Sequence, residues 1–314
     1  MKQIEKNVIV VISTYNGEKN ITRQLESILQ QTGVNVSVYI RDDSSTDKTV
    51  EVVKAFIFKN GYHNVKIEVG KNMGYAKSFW TALKNCGDAD YYAFSDQDDV
   101  WKKDKLLKCI APMEKDKEVG SKLSYCKMNR CSPDLQRLSE QVNVLPPKRL
   151  SKKLVLTQTY NYGAATVINK EARNLVCRCW PEIDNLPHDL WVGLICYWFG
   201  KIYYVDEELY YWIRYQTSVT GAGTKWSGMR YRVKESLQGK SYPNVSQYLL
   251  SEYEDLLTKK DRVFLEMLSS YKRNIITRLK LIFDKDFRRD TLKGTAILKT
   301  GVLLGWLQRC TKGT

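Results

Sequence analysis

The stretch Val8-Ile9-Val10-Val11-Ile12-Ser13-Thr14-Tyr15-Asn16-Gly17-Glu18 decides the architecture. Five consecutive branched apolar residues suit a strand covered on both faces, and the polar run that follows breaks it. A helical pattern then begins, with Ile21, Leu25, Ile28 and Leu29 on one face. Further out, residues 36–40 read as a second strand ending at Arg41-Asp42-Asp43. Ser44-Ser45-Thr46-Asp47 predicts a helix N-terminus, and Val50, Val53 and Ile57 give that helix its buried stripe. A third strand is expected over 65–69, a turn at Asn72-Met73-Gly74, a helix to about Asn85 and a fourth strand over 91–95. A helix is expected over 101–113. Strand alternating with helix in units of ~30 residues implies an α/β fold with a mostly parallel, Rossmann-like sheet and right-handed crossovers.

The middle of the chain is less regular. Strands are expected over 121–125, 164–168 and 201–205, helices over 170–179 and 188–199, and a loop over 135–153 around Pro146-Pro147. Beyond Tyr242 the pattern is helical, with Leu249, Tyr253, Leu256, Leu257, Phe264, Met267 and Leu268 at 3.6-residue spacing. The expected organisation is a catalytic domain over 1–224, split into a nucleotide-binding half (1–110) and an acceptor half with a lid (111–224). A basic helical extension follows over 225–314.

The 314 residues carry 50 Lys and Arg against 35 Asp and Glu, a net charge of +15. From Lys225 onward there are 19 basic and 9 acidic side chains, a net of +10, which leaves +5 for the first 224 residues. A basic tail on a nearly balanced body points to an anionic surface, either membrane headgroups or nucleic acid, or to a solvated helical face. Eight cysteines follow no paired framework, and with only His63 and His188 to complete a zinc site, reduced thiols are the better reading. No signal peptide and no apolar run of ~20 residues is visible, so the catalytic body is expected in the cytoplasm.

In an open parallel sheet, ligands bind beyond the carboxyl ends of the strands. Ser13, Thr14, Tyr15, Asn16 and Glu18 follow strand one; Asp42, Asp43 and Ser45 follow strand two; Asp96, Asp98 and Asp99 follow strand four. Five aspartates at one edge repel one another unless a cation lies among some of them. Mg²⁺ and Mn²⁺ take oxygen ligands and share them with phosphates, so a divalent cation bridging a diphosphate is the economical explanation.

Four segments together carry a resemblance: Ser13-Thr14-Tyr15-Asn16-Gly17-Glu18, Arg41-Asp42-Asp43-Ser44-Ser45-Thr46-Asp47, Asn72-Met73-Gly74 and Ser95-Asp96-Gln97-Asp98-Asp99-Val100-Trp101. In this order and spacing, residues 8–107 resemble the nucleotide-binding half of family 2 glycosyltransferases, which have the GT-A fold. The resemblance implies that Ser13, Thr14, Tyr15 and Glu18 line the base and ribose pocket, with Asn72, Gly74 and Gln97 beside the donor. It places Asp43, or Asp42, on the imide N–H of uracil or thymine. Asp98 would ligate Mn²⁺ or Mg²⁺, with Asp96 approaching the ribose or serving as a second ligand, and Asp99 in support. The Asp-Gln-Asp-Asp-Val-Trp form is most like bacterial rhamnosyltransferases of surface polysaccharide (capsule) synthesis.

Further along, Asn161-Tyr162-Gly163-Ala164-Ala165 resembles the family's small-residue segment beside the donor sugar, which places Gly163 there; a plain turn is nearly as good a reading. Pro187-His188-Asp189-Leu190-Trp191 resembles the segment that holds the base of inverting enzymes, making Asp189 the expected catalytic residue; from spacing alone, Asp189 reads rather as a helix cap. Many relatives carry a metal-binding His where Tyr215 stands here. Arg214 is expected to help neutralise the departing diphosphate, and 217–225 to form a mobile lid.

The resemblance thus implies an inverting, metal-dependent transferase moving L-rhamnose from dTDP-rhamnose, or alternatively a hexose or galactofuranose from UDP. The acceptor would be a polyprenyl-linked or polysaccharide glycan. In the tail, Arg273, Arg278, Lys280, Arg288, Arg289 and Lys293 precede apolar stretches at 296–298 and 302–307. An interfacial helix on the anionic inner face of the cell membrane fits that pattern, as does an amphipathic helix packed on the body or on a second subunit in a homodimer. The rivals are a nucleotidyltransferase, a non-catalytic partner subunit, and a non-catalytic basic protein binding membrane or nucleic acid. The Ser-Thr-Tyr-Asn-Gly loop lacks the basic residue a triphosphate needs, the acidic motifs are intact, and no nucleic-acid reader motif is present.

Overall fold

A computed structural model describes residues 5–139, 141–142, 144–183, 186–215 and 243–307. The chain divides into two compact units, and the division interleaves the sequence. The first comprises residues 1–147, 161–177 and 195–216; the second comprises 148–160, 178–194 and 217–314.

In the first unit the chain runs β1 (Lys6–Thr14), α1 (Ile21–Leu29), β2 (Val34–Asp42), α2 (Thr49–Asn60), β3 (Val65–Val69), α3 (Tyr75–Asn85) and β4 (Tyr91–Ser95). It continues through β5 (Val100–Trp101), α4 (Lys105–Lys115), β6 (Ser121–Cys131), β7 (Thr166–Asn169), α6 (Lys170–Val176) and β8 (Gly200–Ile213), with a short α5 (Lys152–Val155) in the second unit. Among the described residues, eight strands form one sheet in the order β3-β2-β1-β4-β7-β6-β8-β5. β3, β2, β1 and β4 are parallel, β7 is antiparallel to both β4 and β6, and β8 runs parallel to β6. Val8, Val10, Val11 and Ile12 are at most 1% exposed, as the unbroken apolar run requires of a strand covered on both faces.

Three sequence expectations need correction. Trp101 does not begin a helix: Val100 and Trp101 pair antiparallel with Tyr211 and Tyr210 of β8, and the Trp101 N–H donates to Ser27 Oγ at 3.1 Å. Burial of the indole and pairing of its backbone override helical periodicity, and α4 starts only at Lys105. Residues 163–165 form a 3₁₀ turn, so β7 begins at Thr166. Strands β6 and β8 also run six and eight residues beyond their expected ends, because a register shift around Lys127 lets them stay paired to Cys131 and Ile213.

In the second unit, α7 (His188–Phe199) crosses into the first, and the helices Ser246–Glu252, Lys259–Ser270, Ile275–Phe283 and Leu292–Leu304 follow. Salt bridges Lys152–Asp261 (2.6 Å) and Lys153–Asp284 join α5 to these helices. No helix among the described residues is long and apolar enough to cross a membrane.

The carboxyl end of α4 is closed by a buried cation from the next strand. Lys122 Nζ donates to the carbonyls of Met113 (3.0 Å) and Asp116. Last-turn carbonyls have no helical partner, and a cation there also opposes the helix dipole. Lys122→Met is expected to lower stability by about 1–3 kcal/mol in urea denaturation; an unchanged midpoint would show that water replaces the ammonium without loss.

Candidate functional site

The loops leaving β1, β2, β3 and β4 meet at the carboxyl edge of the sheet, as the sequence led us to expect. Arg41 and Asp43 lie at their centre. Arg41 Nη1 donates to Asp43 Oδ1 at 2.6 Å with both side chains 3% exposed. Asp43 also accepts from the backbone N–H of Met73 (3.0 Å) and Gly74 (2.9 Å), while Arg41 reaches Ser78 Oγ (2.9 Å) and the Lys71 carbonyl (2.9 Å). Ser78 in turn accepts from Ser13 Oγ at 2.7 Å. Gly70 makes this possible, since a Cβ there would sit 2.3 Å from Arg41 Nη2. Gly74 has φ +80° and ψ 151°, a conformation open to glycine, and it turns the chain into α3.

Asp42 is fully buried and equally engaged. It accepts from Thr14 Oγ1 (2.9 Å), the Ser45 N–H (2.9 Å) and Ser45 Oγ. The β1 and β2 loops are zipped side chain to backbone: Asn16 N–H to Ser45 Oγ (2.9 Å), Thr46 N–H to Asn16 Oδ1 (2.8 Å), Lys48 N–H to Glu18 Oε2 (3.0 Å) and Glu18 N–H to Asp47 Oδ2 (3.2 Å). Asn16 and Ser44 hold positive φ, 52° and 69°. Strain in facing loops is a mark of a built site. Asp43 Oδ2 accepts one hydrogen bond, from the Gly74 N–H, and so has one acceptor position left.

Gln97 clips the β4 loop to the β1 loop, accepting from the Tyr15 N–H (3.0 Å) and donating to the Tyr15 carbonyl (3.1 Å). The Tyr15 ring is left 47% exposed, and Asn72 is exposed beside Gly74.

The acidic cluster beyond β4 is of a different kind. Asp96 and Asp98 are half-buried; Asp99 is 1% exposed, with one oxygen accepting a long 3.4 Å bond from the Ile213 N–H and Oδ2 buried without a hydrogen-bond partner. Burial raises the Asp99 carboxyl well above the usual range, and the charges of Asp96 and Asp98 push it further. Burial also raises Asp98, and the Arg214 cation opposes that rise. Lys105 is wholly buried behind the cluster. Its ammonium lies 3.4 Å from the centre of the Trp101 indole, makes no hydrogen bond, and is drawn down by burial while Asp99 pulls the other way.

Arg214 and Tyr215 follow β8 and feel the same cluster. Burial lowers Arg214 and neighbouring Arg130 adds to it, whereas Asp98 and Asp99 oppose it. Tyr215 is raised by burial and then by Asp98. The Arg214 guanidinium stacks 4.7 Å from the Trp212 ring, itself 6.3 Å from the Tyr162 ring beside buried Gly163. The expected lid at 217–225 lies outside the described residues.

Asp189 belongs to the second unit, in the first turn of α7, where its Oδ1 accepts from the Leu190 N–H at 2.8 Å. Beside it, burial draws His188 down to about 3. Sequence reasoning assigned no role to Arg41, Ser78 or Lys105. Arg41 was quoted beside the two aspartates, and an arginine at the end of an apolar strand next to paired acids is the signal for a buried ion pair. Lysines are so rarely buried that no sequence signal marks Lys105.

Oxygen donors alone make up the cluster, and its orphaned Asp99 oxygen and desolvated Asp98 suit a hard cation. Among the described residues no three His, Cys, Asp or Glu side chains converge as a ready cage. A cation here would therefore take Asp98, with Asp96, and complete its shell from diphosphate and water oxygens.

Residues 9–175 match the family model described as Glycosyl transferase family 2. The dTDP-rhamnosyl transferase RfbG of Shigella flexneri is 40% identical over 102 residues, 32% of this chain and 35% of that protein. The UDP-Glc:alpha-D-GlcNAc-diphosphoundecaprenol beta-1,3-glucosyltransferase WfaP of Escherichia coli is 34% identical over 122 residues, 38% of this chain and 45% of that protein. An uncharacterized glycosyltransferase of Nostoc matches at 29% over 215 residues, 65% of this chain and 64% of that protein. The chain thus spans from 35% to 64% of these relatives' own lengths. Among solved structures, S. aureus TarS 1–349 in complex with UDP-GlcNAc superposes with a TM-score of 0.57 at 19% identity, covering 89% of this chain and 76% of that one. The mannosyltransferase PcManGT of Pyrobaculum calidifontis, in complex with GDP-Man and Mn²⁺, gives 0.53 at 15%, covering 96% and 81%. These likenesses show the fold, the GT-A arrangement.

Two outcomes follow from this geometry. Arg41→Met strips the counter-charge from a buried carboxylate and is expected to cost about 3 kcal/mol or more in thermal or urea denaturation; a loss below 1 kcal/mol, roughly the worth of an exposed pair, would contradict the structural role. Because the folded chain holds His188 near 3 and the unfolded chain near 6.5, the unfolded state takes up the proton first. Stability is therefore full above pH ~6.5 and falls below it by up to about 1.4 kcal/mol per pH unit, a slope that His188→Gln should remove.

Proposed function

Since the chain belongs to glycosyl transferase family 2, we propose that it moves a sugar, with inversion, from a nucleoside diphosphate to an acceptor hydroxyl. The observation that carries this reading is the desolvated acidic cluster at the end of β4, faced by Arg214 and Tyr215.

Thr14, Ser13 and Glu18 hold the loop that receives base and ribose, and Tyr15 offers an exposed ring as a stacking face. Asp42 and Asp43 fix the two loops on either side, and Asp43 keeps one acceptor position for the imide. Asp96 meets the ribose. Asp98, with Asp96 as an alternative second ligand, would hold Mn²⁺ or Mg²⁺, which would neutralise charge on the diphosphate leaving group. Arg214, constrained by the Trp212 ring, adds a fixed positive charge beside the same oxygens, and the aromatic stack keeps its fork oriented. Gly163 and Gln97 leave room for the sugar against backbone. Asp189 accepts the proton of the acceptor hydroxyl as the new C–O bond forms and the anomeric bond to the diphosphate breaks.

L-rhamnose from dTDP-rhamnose is the donor we favour, supported by the 40% identity over 102 residues to a dTDP-rhamnosyl transferase. A UDP-hexose is the second reading, supported by the likeness to a UDP-Glc enzyme. That relative's diphosphoundecaprenol acceptor also supports a polyprenyl-linked glycan here, at the inner face of the membrane.

Donor hydrolysis by the purified chain, with and without Mn²⁺, should be fastest with dTDP-rhamnose among a set including UDP-glucose, UDP-GlcNAc and UDP-galactofuranose; a clear preference for a UDP-sugar removes the rhamnose assignment. Asp98→Asn and Asp189→Asn are each expected to cut transfer by about 10²-fold or more. Near-normal transfer by either variant contradicts its assigned role.

A further inference from the structure

The apolar stretch at 296–307 is divided between inside and outside. Leu298, Val302 and Leu307 are buried, and the Leu307 carbonyl accepts from Tyr271 OH at 3.0 Å, whereas Ile297, Leu303 and Leu304 are 47, 45 and 50% exposed. The preceding helix, Ile275–Phe283, turns a more continuous apolar face outward. Its Ile275, Ile276, Leu279 and Phe283 side chains are 56, 58, 42 and 77% exposed. At ~100° per residue these four fall within an arc of about 100°, while buried Leu281 lies on the far side. Arg278 is turned inward and spent on the carbonyls of Tyr271, Lys272 and Leu303, so it does not interrupt the stripe.

Single exposed apolar residues are ordinary on a protein surface; four large ones aligned on one helical face are not. The surroundings identify what covers them. Between residues 271 and 299 there are nine Lys and Arg against three Asp. One of those aspartates, Asp284, is engaged by Lys153. Arg273, Lys280, Lys285, Arg288 and Lys293 are exposed. An apolar stripe bordered by unspent cations matches a surface that is itself apolar beneath a layer of negative charge. A nucleic acid would leave the stripe uncovered, and a second copy of this basic segment would bring like charges together.

We propose that the face formed by Ile275, Ile276, Leu279 and Phe283 docks in the headgroup boundary of an anionic lipid bilayer, with the neighbouring lysines and arginines on the phosphates. This docking does not depend on which sugar the chain moves.

The test is flotation of the full chain with phosphatidylcholine vesicles and with vesicles that also contain phosphatidylglycerol, at low and high salt. The wild type is expected to float with the anionic vesicles alone and to be released by salt. The double variant Ile276→Glu/Phe283→Glu should bind at least about tenfold more weakly. Its thermal midpoint and donor hydrolysis should be unchanged, because both side chains are solvent-facing. Failure of the wild type to float, equal binding to both vesicle types, or undiminished binding by the double variant each overturns the proposal. A dimer that the double variant converts to monomer also overturns it, by showing that a second copy covers the stripe.

Discussion

A buried ion pair at the end of the second strand ties together the loops at the carboxyl edge of the sheet. Arg41 and Asp43 are two residues apart, both nearly inaccessible, and together they reach β1 through Ser78 and Ser13, the turn after β3 through Met73 and Gly74, and the start of α3. Taking two charges out of water is costly, and the arrangement is tolerated because backbone N–H groups and hydroxyls satisfy the remaining lone pairs. With that knot tied, the β1 and β2 loops can interlock through Asn16, Ser45, Glu18 and Asp47, and two non-glycine residues can be held at positive φ. The result is a shelf set before any ligand arrives.

Across from this shelf, the carboxylates are in the contrary condition. Every carboxylate oxygen of Asp42 and Asp43 accepts at least one hydrogen bond from the fold, whereas Asp98 is desolvated and Asp99 keeps a buried oxygen with no partner. Lys105, buried against the Trp101 indole, supplies a positive charge behind the cluster without satisfying it by a hydrogen bond. The contrast divides the acidic residues of the site by physics. Those at the end of β2 are engaged by the fold, and those beyond β4 are desolvated without full hydrogen bonding, which is the condition the proposed cation and diphosphate would relieve.

Much of this was legible in the sequence. β3, β4, α3 and α7 lie where apolar runs and turn residues place them, since in each the local pattern and the tertiary environment agree. The strand-end motifs were also legible, and the structure brings those following β1 to β4 together. What sequence could not supply is set by partners distant in the chain. Trp101 joins β5 because β8 lies beside it, and β6 and β8 continue past their apolar cores because each supplies the other's ladder. Lys105 is read as an exposed helix residue until its neighbours are known. The basic tail was visible as charge, yet the outward stripe of Ile275, Ile276, Leu279 and Phe283 is defined only once Leu281 is buried on the other side of its helix.

In the proposed mechanism Asp98 and a divalent cation grip a nucleoside diphosphate together. Calorimetric titration of dTDP into the full chain, in Mn²⁺ and in EDTA, tests that directly. Binding is expected to be at least about tenfold tighter with Mn²⁺, with the gain absent in Asp98→Asn. Equal affinity with and without the metal in the wild type would contradict it.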